Sequence, residues 1–242
     1  MNKISISEVL SQAWELTKKN WISILAALLI IWVVKQIIAS MFGPSVGDIQ
    51  PMIEKMSSGK ADPAEIMSYY NSILAASGPG SFISNLIEII LMAGLYRLVL
   101  NAVQGHGEFT INAWKLPVNT YVKYVVVNFI VSIIFMIGLV FCILPGIYLL
   151  ARLQFASLFI LEHEEAGIGD AISASWNMTK DDALTLCLLL LVFLLMIFAG
   201  LLCCCVGVVL SEIIIYLATG VAFYTLLPKK LEDATPSEEV AE

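Results

Sequence analysis

The chain has 242 residues, of which 59% are hydrophobic and 14% charged, with a formal net charge of −7 and a mean hydropathy of +0.88. Soluble domains carry about 25% charged residues, so too little polar surface is present to coat a water-soluble globule, and lipid must be the solvent. No basic run points to a nucleic-acid partner.

Residues 1–20 are amphipathic rather than apolar, so no cleavable signal peptide is expected. Ile6, Val9, Leu10, Ala13 and Trp14 recur at helical spacing, and Ser5 with Glu8 fits a capping box. The first apolar stretch long enough to cross about 30 Å of hydrocarbon is Trp21–Met41. A long loop, 43–80, follows. Within it Asp62-Pro63 reads as a helix cap with proline at the first helical position, and Gly78-Pro79 reads as the stop. A small helical lid is expected there. Span two is Ser81–Asn101 and span three Tyr121–Ile143. Pro145-Gly146 opens span four, Pro145–Leu161, which ends in the run Glu162-His163-Glu164-Glu165, read as a hydrated charge run. Spans five and six are Ala183–Leu202 and Val206–Leu227. The acidic tail, 229–242, is expected to be disordered. The fold class is therefore all-α, a polytopic six-helix membrane bundle forming one domain over 1–228.

Three segments share a pattern. They are Glu8 to Lys18 around Trp14, Glu108 to Val118 around Trp114, and Asp170 to Lys180 around Trp176. An acid stands six residues before each tryptophan and a small residue directly before it, and the copies lie 100 and 62 residues apart. Gly138 and Gly200 continue the second offset. Duplication of a unit is the reading: a short helix on the membrane surface followed by a transmembrane hairpin. Trp14, Trp114 and Trp176 are its interfacial anchors, with each ring among headgroups.

The stretch Leu144-Pro145-Gly146-Ile147-Tyr148-Leu149-Leu150-Ala151-Arg152-Leu153-Gln154-Phe155-Ala156, followed by Gly169-Asp170-Ala171-Ile172-Ser173-Ala174-Ser175-Trp176-Asn177-Met178-Thr179-Lys180, resembles a family of six-span prokaryotic membrane proteins. That family includes the membrane domain fused in some bacteria to glycerophosphoryl diester phosphodiesterase, and stand-alone inner-membrane members. The resemblance implies a helical bundle in the cell membrane. It implies no phosphodiesterase activity, because the catalytic barrel of the fused proteins has no counterpart here.

Lys3, Lys18, Lys19, Arg97, Lys115, Lys123, Lys180, Lys229 and Lys230 fall on one side of the six-span arrangement, and Lys55 and Lys60 on the other. The positive-inside rule then predicts cytoplasmic N- and C-termini in a cell inner membrane.

Charges inside a span cost about 2.5–3.5 kcal/mol each on insertion scales, so partners are expected. Counting depth along the spans pairs Lys35 with Glu88 and Arg152 with Glu212, as two pairs or one cluster, with Asn85, Asn128, Gln154 and Ser211 as hydrogen-bonding neighbours. Structural glue is one role for these groups. The other is a polar cavity holding an anionic or zwitterionic headgroup. Cys142 and the run Cys203-Cys204-Cys205 lie on equivalent hairpin turns, where small apolar packing or a disulfide from Cys142 to one of the run are the alternatives. No metal-ligand spacing, cofactor motif or catalytic motif is present, so neither metal, cofactor nor enzymatic activity is expected. Transport or handling of a lipid or small amphiphile between the repeats is the leading function, with membrane lipids as partners. The alternative is a non-catalytic assembly factor that binds partner proteins or a second copy of itself.

Overall fold

The computed structural model describes residues 4–42, 54–55, 58, 62–105, 111–141, 143–202 and 204–227. The tail and the cysteines Cys142 and Cys203 fall outside these, as does most of 43–61. Among the described residues the regular structure is helical. The helices are α1 (Ile6–Phe42), α2 (Pro63–Val103), α3 (Val118–Phe141), α4 (Ile143–Leu153), α5 (Ala156–Glu162), α6 (Ile168–Met178), α7 (Ala183–Leu202) and α8 (Cys204–Leu226), with a 3-10 turn at Ile111–Trp114. Six stretches are long and apolar enough to cross a membrane: Ile6–Ile38, Asn85–Val103, Val118–Val140, Leu144–Glu162, Ala183–Leu202 and Gly207–Leu226. Their outward faces carry large apolar side chains, with Val140 83% and Leu202 87% exposed. Such a surface is stable only against hydrocarbon. The protein is an integral, multi-pass membrane protein.

The chain forms two compact units, Met1–Ala27 with Ala93–Glu242, and Leu28–Met92. The second unit comprises the later part of α1 and the earlier part of α2. The first holds the other helices, and its core is built on Leu98, Phe155, Leu158, Leu186, Leu217 and Phe223.

Three local expectations change. The first-copy surface helix is not separate: α1 runs from Ile6 through Lys18 into the span without a break. The reason is local. No Gly or Pro interrupts 6–42, and the polar side chains that could compete with the helix bond back onto it. Thr17 Oγ1 donates to the Ala13 carbonyl (2.8 Å) and Asn20 Nδ2 to the Leu16 carbonyl (3.1 Å). Among the described residues the third copy has its own short α-helix, α6, and the second a 3-10 turn at Ile111–Trp114. At α6 the Gly167 N–H donates to Asp170 Oδ2 at 3.0 Å, so the acid six residues before Trp176 caps the helix. Ser5 does not complete the expected capping box, since its Oγ lies 3.0 Å from Ser7 Oγ.

The lid helix starts where expected, with the Ala64 N–H donating to Asp62 Oδ1 at 3.1 Å. It does not stop at Gly78-Pro79. It continues as α2 to Val103. Proline in a helix interior removes one N–H and costs about 3 kcal/mol in water; Pro79 precedes the apolar stretch Asn85–Val103, and nothing in the structure explains why the helix runs through it.

Two hairpins close on glycine. A Cβ on Gly138 would meet the Gly146 Cα at 2.8 Å, and one on Gly200 would meet the Gly207 carbonyl oxygen at 2.7 Å. Small residues let the backbones of α3 and α4, and of α7 and α8, approach this closely. Ser211 Oγ adds a polar tie across the second hairpin, within hydrogen-bonding distance of the Met196 and Gly207 carbonyls (both 2.9 Å). At the other end of α7, the Ile4 N–H donates to Asp182 Oδ1 (3.1 Å), fixing the start of α1 beside the start of α7.

Candidate functional site

The depth-matched pairs divide. Lys35 Nζ donates to Glu88 Oε1 at 2.7 Å, joining α1 and α2 within the second unit. Arg152 and Glu212 form no pair. Arg152 is 2% exposed, whereas Glu212 lies on the exposed face of α8. The depth count fails because depth does not fix which way a side chain faces: Arg152 turns inward and Glu212 outward. Asn128 and Gln154 spend their amides on their own helices, at the Tyr124 carbonyl (2.8 Å) and the Ala151 carbonyl (3.4 Å). Asn85 is exposed. A single mixed cluster is therefore not assembled from the residues of the first unit.

Span four breaks at Gln154-Phe155, between α4 and α5. A break strands backbone carbonyls that lipid cannot satisfy. The Arg152 carbonyl is taken up by α6 and the residue after it: Ser175 Oγ donates to it at 2.8 Å and Thr179 Oγ1 lies at 3.2 Å. Both hydroxyl-bearing residues are fully buried. They belong to the third copy of the repeated motif, so the small residue before the tryptophan is here a hydrogen-bond donor with a fixed task. Replacing both, as Ser175→Ala with Thr179→Val, leaves a buried carbonyl unpaired. It is expected to destabilise the fold by about 1–3 kcal/mol, read as a lower denaturation midpoint in detergent, whereas an unchanged midpoint would remove these hydroxyls from the account.

The Arg152 guanidinium lies over Trp176, 4.1 Å from the ring centroid, and 5.9 Å from that of Tyr148. Its Nε and Nη1 are buried without a hydrogen-bond partner. Trp176 itself is 40% exposed. One of the predicted anchors is thus the cover of a buried cation. Trp114 is half-buried and packs on Gly94, where a Cβ would come within 2.4 Å of three ring atoms. Trp14 is exposed, with Lys18 Nζ 5.6 Å from its ring.

A polar clasp that sequence reasoning missed joins four helix ends. Gln104, one residue past α2, donates to Glu162 Oε1 (3.0 Å) and to Tyr224 Oη of α8 (2.6 Å), and Tyr224 donates to Glu162 Oε2 (2.8 Å). Arg97 of α2 pairs with Glu164 (3.0 Å) and donates to the Leu161 carbonyl, while Lys123 of α3 donates to the Glu164 carbonyl (2.8 Å). His163 stacks on Phe159 with ring centroids 4.4 Å apart. The run 162–165 is a joint and not a loose hydrated segment. The available signal was Arg97, Gln104 and Lys123 at the ends of otherwise apolar spans, next to a carboxylate-rich segment.

A groove of about 680 Å³ lies between α1 and α8. It is lined by Trp14, Thr17, Lys18, Trp21 and Leu25 on one side and Val209, Leu210 and Ile213 on the other. Thr17 offers no free hydroxyl hydrogen, since it is committed to Ala13. Lys18 is paired with Glu15 at 2.8 Å, both side chains more than half exposed. The wall is otherwise hydrocarbon and indole. Its volume falls in the roughly 300–1,000 Å³ range of small-molecule sites. The chain matches no family model, no curated protein and no solved structure.

Proposed function

We propose that this protein holds a membrane amphiphile in the groove between α1 and α8, and that it transports or hands on lipid without catalysing a reaction. The observation that carries the reading is the groove itself: about 680 Å³, apolar, with Trp14, Trp21 and Lys18, which is paired with Glu15, at its wall. An acyl chain fits its depths, and the paired charges suit a headgroup or the water that accompanies one. An acyl chain entering the groove exchanges bilayer contacts for groove contacts, so its retention rests on close packing against the wall and not on transfer from water. Filling the groove with Leu210→Trp is therefore expected to cut the phospholipid retained through a delipidating detergent wash by about tenfold, counted by mass spectrometry of the purified protein. Equal retention by the variant and the wild type sinks the reading.

The rest of the proposal is architectural. Both termini face the cytoplasm in a cell inner membrane, supported by the lysine and arginine distribution. The chain derives from a duplicated unit and is related to the membrane domain fused to glycerophosphoryl diester phosphodiesterase. The like-for-like glycine closures at Gly138 and Gly200 support the duplication. Glu212 favours a second reading. A carboxylate on the exposed face of a span, with no ion pair among the described residues, suits packing against a protein partner or a second copy.

A further inference from the structure

We infer that Arg152 is a second ligand site, an anion-binding centre for a phosphate group, closed in this structure by the Trp176 ring. Arginine stays charged under all ordinary conditions. A buried cation therefore demands a counter-charge or a full set of acceptors. Arg152 is 2% exposed, forms no ion pair among the described residues, and has Nε and Nη1 buried without an acceptor. Its close partners among the described residues are π faces, Trp176 at 4.1 Å and Tyr148 at 5.9 Å. A cation–π contact occupies the flat face of the guanidinium and leaves the in-plane N–H groups unused. Those N–H groups are what a phosphate or carboxylate oxygen binds.

The surroundings fit a ligand site under a cover. The helix break at Gln154-Phe155 sets Arg152 at the end of α4, and the hydroxyls of Ser175 and Thr179 hold its backbone in place from α6. The backbone carbonyl is thereby satisfied and the side chain is not. The covering groups are themselves half outside: Trp176 is 40% and Tyr148 42% exposed. Movement of the Trp176 ring uncovers the guanidinium without disturbing the core. The ligand class is a phosphate-bearing anion, either a lipid headgroup or free phosphate. Phosphate is favoured over carboxylate by setting: Arg152 lies within the apolar stretch Leu144–Glu162, and basic pockets between transmembrane helices bind lipid headgroups.

This site is separate from the α1–α8 groove and rests on the lipid-handling reading only for its natural ligand. The test uses the full chain in dodecyl maltoside, with the thermal midpoint followed against dioctanoyl phosphatidylglycerol, inorganic phosphate and, as the phosphate-free control, dioctanoylglycerol. Phosphatidylglycerol is expected to raise the wild-type midpoint and dioctanoylglycerol to leave it unchanged. A response to inorganic phosphate as well identifies a general phosphate site, and a response to phosphatidylglycerol alone identifies a headgroup site. Arg152→Met is expected to abolish the response. Trp176→Leu, which keeps the arginine and removes its cover, is expected to lower the half-saturating concentration by about tenfold, as loss of a competing cation–π contact requires. Absence of any wild-type response, an equal response to dioctanoylglycerol, or a Trp176→Leu curve identical to wild type overturns the inference. Leu210→Trp keeps the phosphate response if the Arg152 site is real, whatever becomes of the groove.

Discussion

Gly200→Leu is expected to prevent the α7–α8 hairpin from closing. A Cβ at position 200 would lie 2.7 Å from the Gly207 carbonyl oxygen and 2.7 Å from Ser211 Oγ. The first of these is backbone, so no rotamer change relieves the overlap. The helices must separate, and separation also breaks the bond between Ser211 Oγ and the Met196 carbonyl. Overpacking alone costs about 1–3 kcal/mol, and the lost hydrogen bond adds about 0.5–1.5 kcal/mol. Unfolding in mixed micelles measures the sum. The matched control is Gly169→Ala, at a site with no neighbour within 4 Å, which is expected to be neutral or slightly stabilising because alanine is the better helix former. Equal behaviour of the two variants would mean that the glycine crossing does not hold the hairpin.

Arg97→Met is expected to be the most damaging change at the polar clasp. Arg97 pairs with Glu164 and also donates to the Leu161 carbonyl at the end of α5, so one substitution strands a carboxylate and a carbonyl. The pair is about one-third exposed on each side, which weakens it relative to a fully buried pair. The carbonyl has no such relief. A loss of about 2–4 kcal/mol is expected from the two together. Tyr224→Phe removes only the hydroxyl shared by Gln104 and Glu162 and is expected to cost less, about 1 kcal/mol. The order of the two denaturation midpoints checks the assignment. Tyr224→Phe proving the worse variant would shift the weight of the clasp to Gln104, Glu162 and Tyr224.

The membrane class was readable from composition, and so were the six apolar stretches, because hydrocarbon thickness fixes their length. Lys35 and Glu88 were readable as a pair because each stands alone in an apolar segment and the helices bearing them are unbroken there. Arg152 was readable as important but not in its setting. Nothing in Arg152-Leu153-Gln154-Phe155 announces a helix break: there is no Gly or Pro, and the break is stabilised by hydroxyls more than 20 residues further on. Depth counting, which says nothing of the direction a side chain faces, assigned it a partner, Glu212, that points elsewhere. The same long-range cause hides the clasp, since Gln104, Glu162 and Tyr224 meet only after three helix ends converge. Thr17 and Asn20 act in the opposite direction. Both bond back to their own helix and let α1 continue where a separate surface helix was expected.

The most direct test of lipid occupancy in the α1–α8 groove is photo-crosslinking with a phospholipid that carries a diazirine near the end of one acyl chain. The protein is reconstituted in nanodiscs, irradiated, and the adducts are mapped by mass spectrometry. Leu25, Leu210 and Ile213 line the groove, while Leu194, Leu195 and Leu202 are exposed on the outer face of α7. The account predicts adducts concentrated on the groove residues and lost from them in Leu210→Trp. Adducts spread evenly over both sets, and unaffected by the substitution, would contradict it.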